Sequence, residues 1–124
     1  FQSKPNSQEK LISVISGKIF DVVVNVNPKS KNFKKSFTFI LSARNKHHLF
    51  ISSDYAHGFL ALTNNVIVNY KVTSEYDAKK EKTILWNDKS LNIKWPYKKK
   101  SELIISKKDS EGKNFENFFL NSNL

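Results

Sequence analysis

The chain has 124 residues, enough for one hydrophobic core and too few for two. It has no cysteine, which excludes a disulfide framework and any thiolate metal site. No apolar run approaches the roughly 18 residues that a membrane-spanning helix needs, so no membrane partner is expected.

A formal net charge of +10 invites a nucleic-acid reading. Of the 21 basic residues, however, only Arg44 is arginine, and base recognition and bidentate phosphate clamps favour arginine. The lysines are scattered, with clusters at 29–35, 79–82 and 98–100 beside turn-like segments. Together with fourteen asparagines they read as a solvated surface with a Lys/Asn bias. No nucleic-acid partner is expected.

The first ten residues, "FQSKPNSQEK", lack the apolar core of a leader and begin on an aromatic residue. The expectation is a chain cut from something longer. From there on, strand alternation dominates. After "LISVIS" (11–16), "KIFDVVVNV" (18–26) sets Phe20, Val22, Val24 and Val26 on one face and Ile19, Asp21, Val23 and Asn25 on the other. "SFTFILS" (36–42) alternates Phe37, Phe39 and Leu41 with polar residues. Strands are also expected at 48–52, 58–62, 66–72, 83–86 and 91–95, separated by the turn signals "NPKS", "SSD", "NN" and "NDKS". In the tail, "NFENFFLNSNL" (114–124) has helical spacing, with Phe115, Phe118 and Phe119 at i, i+3 and i+4. The pattern predicts a single all-β domain over 1–124, a sandwich or jelly roll with a short helical tail.

Several polar residues interrupt this apolar scheme. Asp21 shares a face with Ile19 and Val23, and Tyr70 shares one with Val66, Val68 and Val72. His57 begins the apolar "HGFLAL", Lys10 precedes "LISVIS", and Asp109 sits in "SKKDSEGK". Each has an ordinary explanation: a solvent-facing carboxylate, a core tyrosine bonded to backbone, a structural histidine, a strand-edge lysine, a turn residue. Taken together, they would give one barrel interior an acid, an imidazole, a phenol and an amine.

In this order the residues resemble a known family, the nucleotide-sugar 3,5-epimerases that act on dTDP-4-dehydro-6-deoxyglucose in dTDP-rhamnose synthesis. "EKLISVISGKIFDVVVNV" is similar to the family's K-L-V-x-V-x-x-G-x-x-x-D-V-x-V-D segment, and "YAHGFLAL" to its F-A-H-G-F. "NYKVTSEYD" resembles Y-K-x-T-x-x-Y, "ILWNDKSLNIKWP" resembles I-x-W-N-D-P-x-L-x-I-x-W-P, and "ISKKD" resembles L-S-x-K-D. Five matches in register cover nearly the whole chain. Two family glycines are replaced by Asp54 and Asn92, residue types that tolerate positive φ. The family's base histidine stands in R-G-x-H just before an aromatic-glutamine pair that "FQ" resembles, so it is expected upstream of Phe1, outside this sequence.

The resemblance implies a cupin-type fold and an enzyme that removes protons beside a 4-ketone, through an enolate. It implies Lys10 as the cation near O4, Tyr70 as the acid, and Asp109 as the carboxylate that orients the base histidine. It implies Gln2, Asp21, His57 and Tyr76 as substrate-binding residues, Asp21 and His57 forming a polar pair and Tyr76 stacking on the nucleotide base. A dTDP-sugar substrate, a homodimer, a cytoplasmic location and no cofactor follow from it. No metal is expected either: metal-binding cupins use an H-x-H pair, whereas His47 and His48 are adjacent and point to opposite faces of a strand. Two alternatives stay open, an epimerase inverting only C3 or only C5 of another nucleotide-deoxysugar, and a non-catalytic basic β-barrel that binds polyanions.

Overall fold

The computed structural model describes residues 1–2 and 7–120, and it groups them into two compact units, Phe1–Glu81 and Lys82–Leu124. The first unit carries the regular structure. Its strands are β1 (Lys10–Ser16), β2 (Lys18–Asn25), β3 (Ser36–Ser42), β4 (His48–Ile51), β5 (Tyr55–Ala61) and β6 (Ile67–Val72). They form two antiparallel three-stranded sheets, ordered β4-β1-β6 and β3-β2-β5. This is the double-sheet arrangement of a cupin-type jelly roll.

The alternation read in the sequence fixes which faces meet. Ile12 and Val14 of β1 and Ile51 of β4 form one buried cluster with Ile19 and Val23 of β2 and Leu41 of β3. Leu49, Tyr55, Val66 and Val68 pack against it. The core therefore lies between the two sheets, and cross-strand partners of these residues share its side.

The turn joining β1 to β2 requires glycine. Gly17 has φ +77, and a Cβ there would come within 2.6 Å of Thr63 Oγ1 and 2.8 Å of Val66 Cγ2. The "NN" signal between β5 and β6 is realised as a turn with Asn65 at φ 55.

The second unit differs from expectation. The segments 83–86 and 91–95 are not strands: Ile84 makes an isolated parallel bridge to Lys113, and 91–95 joins no ladder. Asp88 accounts for the second of these segments. Its Oδ1 accepts from Ser90 N (2.8 Å), Ser90 Oγ (2.6 Å) and Leu91 N (3.2 Å), bending the chain into a turn. Asn92 then takes φ 49, which no strand residue adopts. Asn92 thus takes the positive φ expected where it replaces a family glycine, whereas Asp54 does not.

Short helices complete this unit, a 3-10 turn at Lys100–Glu102, α1 (Lys107–Ser110) and α2 (Phe115–Leu120). The tail helix expected from the phenylalanine spacing is α2, with Phe115 and Phe118 buried. Residues 121–124 of that expected helix lie outside the described residues. Asn114 caps α2 by accepting from Asn117 N at 2.8 Å, and Asp88 Oδ2 accepts from Phe115 N at 2.7 Å. Among the described residues, no helix is long and apolar enough to cross a membrane.

Candidate functional site

β2 presents Asp21 between Ile19 and Val23, on the core side of its sheet, with no exposed surface. A carboxylate so placed needs a hydrogen-bond donor. His57 supplies it from β5, where it pairs with Val23 and so sits diagonal to Asp21 on the same face. His57 Nε2 stands 2.7 Å from Asp21 Oδ2. One hydrogen lies between the two atoms, its donor set by the imidazole tautomer. Asp21 Oδ1 is buried and has no hydrogen-bond partner. The sequence-expected polar pair is therefore present, with one acceptor to spare.

The opposite sheet carries the amine and the phenol. In β4-β1-β6, Lys10 pairs with Ile51 and Val72, Ile12 with Leu49 and Tyr70, and Val14 with Val68. Since Ile12, Val14, Leu49, Ile51 and Val68 all belong to the core, Lys10 and Tyr70 share the core-facing side. They are diagonal neighbours across β1 and β6, within reach of long side chains. Lys10 is half-buried, and the Tyr70 ring is 59% exposed. The inward faces of the two sheets thus hold Lys10 and Tyr70 on one side and Asp21 and His57 on the other.

Gln2 is buried, and its side-chain amide engages the backbone after β6. Nε2 donates to Glu75 O at 3.2 Å, and Oε1 accepts from Asp77 N at 2.9 Å. Gln2 also bridges to Glu81. The amide thereby holds the segment bearing Tyr76, whose ring is 66% exposed and whose hydroxyl donates to Glu81 Oε2 at 2.6 Å. Asp109 belongs to the second unit. It sits in the first turn of α1, where its Oδ2 accepts from Ser106 Oγ at 2.6 Å and its backbone N–H donates to the same oxygen at 3.1 Å. His48 lies on β4, opposite Ser13 and on the outward face. Among the described residues, no three His, Asp or Glu side chains gather as metal ligands.

Two residues on the inward face escaped the sequence reading. Phe39 of β3 and Phe59 of β5 are both direct cross-strand partners of Asp21. Alternation alone marks them as strand residues. Their position beside Asp21 depends on the order β3-β2-β5, which the sequence does not spell out.

These features define a cupin-type jelly roll with charged, phenolic and aromatic side chains on its inward faces. The family model described as dTDP-4-dehydrorhamnose 3,5-epimerase matches residues 1–117, and the chain belongs to that family. Among curated relatives, the dTDP-4-dehydrorhamnose 3,5-epimerase of Methanothermobacter thermautotrophicus is 42% identical over 106 residues, covering 86% of this chain and 57% of the relative. That of Shigella flexneri is 38% identical over 115 residues, covering 93% and 62%. Among solved structures, the Bacillus anthracis epimerase with TDP and pyrophosphate bound superposes with a TM-score of 0.87 at 41% identity, covering 92% of this chain and 63% of that one. The Legionella pneumophila epimerase in complex with dTDP-4-keto-L-rhamnose gives 0.86 at 35% identity, covering 92% and 59%. The chain spans about three fifths of the length of the relatives it matches.

Proposed function

We propose that the protein epimerises C3 and C5 of dTDP-4-dehydro-6-deoxyglucose, with residues 1–124 forming a single epimerase domain of a cytoplasmic homodimer. One observation supports this reading most. An amine and a phenol (Lys10, Tyr70) occupy the inward face of one sheet, across from a buried carboxylate–imidazole pair (Asp21, His57) on the inward face of the other.

The chemistry asks for such an arrangement. A 4-ketone acidifies the neighbouring C–H bonds, and loss of a proton from C3 or C5 puts negative charge on O4. Lys10 is the cation that stabilises this charge, which is strongest in the enolate and weak in the ground state. Tyr70 returns a proton to the carbon from the face opposite the base, and that return inverts the centre. The base is the R-G-x-H histidine that the resemblance sets ahead of Phe1 and Gln2, and Asp109 is the carboxylate that orients it. Asp21 and His57 hold the sugar, and Tyr76 stacks on the base of the nucleotide. No step calls for a cofactor.

The test is solvent exchange. Incubated in D2O with dTDP-4-dehydro-6-deoxyglucose, the protein that carries this chain should place deuterium at both C3 and C5, read by mass spectrometry. Lys10→Met should slow exchange about 10²–10³-fold, the loss typical of removing one oxyanion-stabilising group. Deuterium at a single carbon would point to a mono-epimerase. Absence of exchange with salt-dependent retention on heparin would favour the polyanion-binding alternative. Light scattering after size exclusion decides the dimer.

A further inference from the structure

The β1–β6 ladder ends at the pair Lys10–Val72, and the chain from Thr73 to Lys80 belongs to no strand. Side chains from the segment ahead of β1 take over where the ladder stops. Gln8 Nε2 donates to Ser74 O at 2.7 Å, Gln2 Nε2 donates to Glu75 O at 3.2 Å, and Gln2 Oε1 accepts from Asp77 N at 2.9 Å. The Gln2 amide thus grips the peptide groups on both sides of Tyr76, as a neighbouring strand would. Asp77 then turns the chain, its Oδ1 accepting from Lys79 N and its carbonyl from Lys80 N. The turn returns Glu81 to bridge the backbone of Gln2, and there its Oε2 accepts from the Tyr76 hydroxyl at 2.6 Å. Gln2 itself is only 4% exposed, whereas the Tyr76 ring that it brackets is 66% exposed. A large ring tethered at both ends yet open to solvent is a contact surface ordered in advance of its ligand.

We infer that Gln2 is a positioning residue for nucleotide binding, which fixes the Tyr76 ring where the base of the nucleotide stacks. The inference rests on the reading of Tyr76 as the stacking ring, and it gives Gln2 a role other than direct contact with substrate. Burial of the amide, with its nitrogen and its oxygen both engaged by backbone, favours this role over contact with a ligand. A tyrosine on a free loop would have to be immobilised when the nucleotide binds, and that loss of freedom would subtract from affinity. With the clamp in place the ordering has already occurred on folding. Without it, Glu75 O and Asp77 N must turn to water, and the peptide groups beside Tyr76 are free to rotate.

The experiment is a double-mutant cycle of Gln2→Met and Tyr76→Ala, read as the dissociation constant of dTDP by titration calorimetry on the protein that carries this chain. Methionine is unbranched and adaptable, so it fills the buried position while removing both hydrogen bonds. Gln2→Met should weaken dTDP binding about tenfold, the scale of ordering an interface side chain and its loop. The KM for dTDP-4-dehydro-6-deoxyglucose should rise by a similar factor. Tyr76→Ala should weaken dTDP about 10–100-fold, the range for losing one base–aromatic stack. In the Tyr76→Ala background, Gln2→Met should add less than about twofold, because the ring that it positions is gone. Gln2→Glu keeps the acceptor for Asp77 N and loses the donor, so it should give an intermediate loss even if methionine disrupts the fold. Additive effects overturn the inference, since Gln2 would then act independently of Tyr76. Gln2 variants that lose stability with dTDP affinity unchanged overturn it too, as do variants that lower kcat with dTDP affinity intact. A Tyr76→Ala protein that binds dTDP as the wild type does contradicts the stacking reading and removes the inference with it. A wild type that binds no dTDP contradicts the epimerase reading itself.

Discussion

The described residues of the two units reach order by different means. In the first unit, six strands satisfy one another's backbone in antiparallel ladders, and alternating side chains bury a common core. No single side chain is indispensable to that pattern except where it fills the core. Among its described residues, the second unit has few ladders: one bridge, three short helical segments and several turns. There Asp88 ties a turn at Ser90 and Leu91 to the start of α2 at Phe115, and Trp95 Nε1 donates to Trp86 O at 2.8 Å. Periodicity builds one region and individual polar contacts the other. Mutations should therefore fail differently in the two.

The largest effect belongs to the sheet core. Ile12 and Ile19 are fully buried, and Ile12→Ala or Ile19→Ala should cost about 2–5 kcal/mol in chemical denaturation. Protection from hydrogen exchange should fall throughout the ladders of Lys10–Val72. Next comes Asp88→Ala, which strands donors at Ser90, Leu91 and Phe115 and should cost on the order of 3 kcal/mol. Its exchange signature should be confined to residues 82–120. Loss of protection in β2 as well would break the distinction between the regions. Asp88→Asn keeps an acceptor for the turn but cannot accept at both ends, so about 1 kcal/mol is expected.

Acid should sharpen the same contrast. Burial alone would push the Asp88 carboxyl up, but hydrogen bonds from the Ser90 hydroxyl and from the Phe115, Ser90 and Leu91 amides outweigh it and hold it below its ordinary value of 3.8. A carboxyl depressed on folding stabilises the folded state above its unfolded value and loses that contribution as pH falls through the folded one. Between neutral pH and about 5 the second unit should be insensitive to this group, and below pH 3.8 it should weaken progressively. Exchange measured across this range checks it, and Asp88→Asn should flatten the acid dependence. The smallest effect is Tyr76→Phe, which removes an exposed hydrogen bond to Glu81 and should alter stability by no more than about 0.5 kcal/mol.

This division also explains what the sequence disclosed. Strands β1 to β6 follow from alternation and turn residues, and the Asp21–His57 contact follows from two motifs whose resemblance places them together. The helix at Phe115–Leu120 follows from phenylalanine spacing. The expected strand at 91–95 failed because Asp88 bends the chain at Ser90 and Leu91, and the one at 83–86 is reduced to a bridge with Lys113. "NDKS" signals a turn, but nothing in it announces that Asp88 also receives Phe115 N, 27 residues on. Phe39 and Phe59 were hidden for a related reason. Which strands flank β2 is a property of topology, and alternation is blind to it.

The most direct test of the central claim concerns Tyr70, the group proposed to finish inversion without starting it. In D2O with dTDP-4-dehydro-6-deoxyglucose, Tyr70→Phe should still wash deuterium into the substrate, because proton removal does not involve the phenol. Net inversion should fall about 10²–10⁴-fold, the contribution of a general acid. Inversion at the wild-type rate, or loss of exchange together with inversion in a folded Tyr70→Phe protein, would contradict the account.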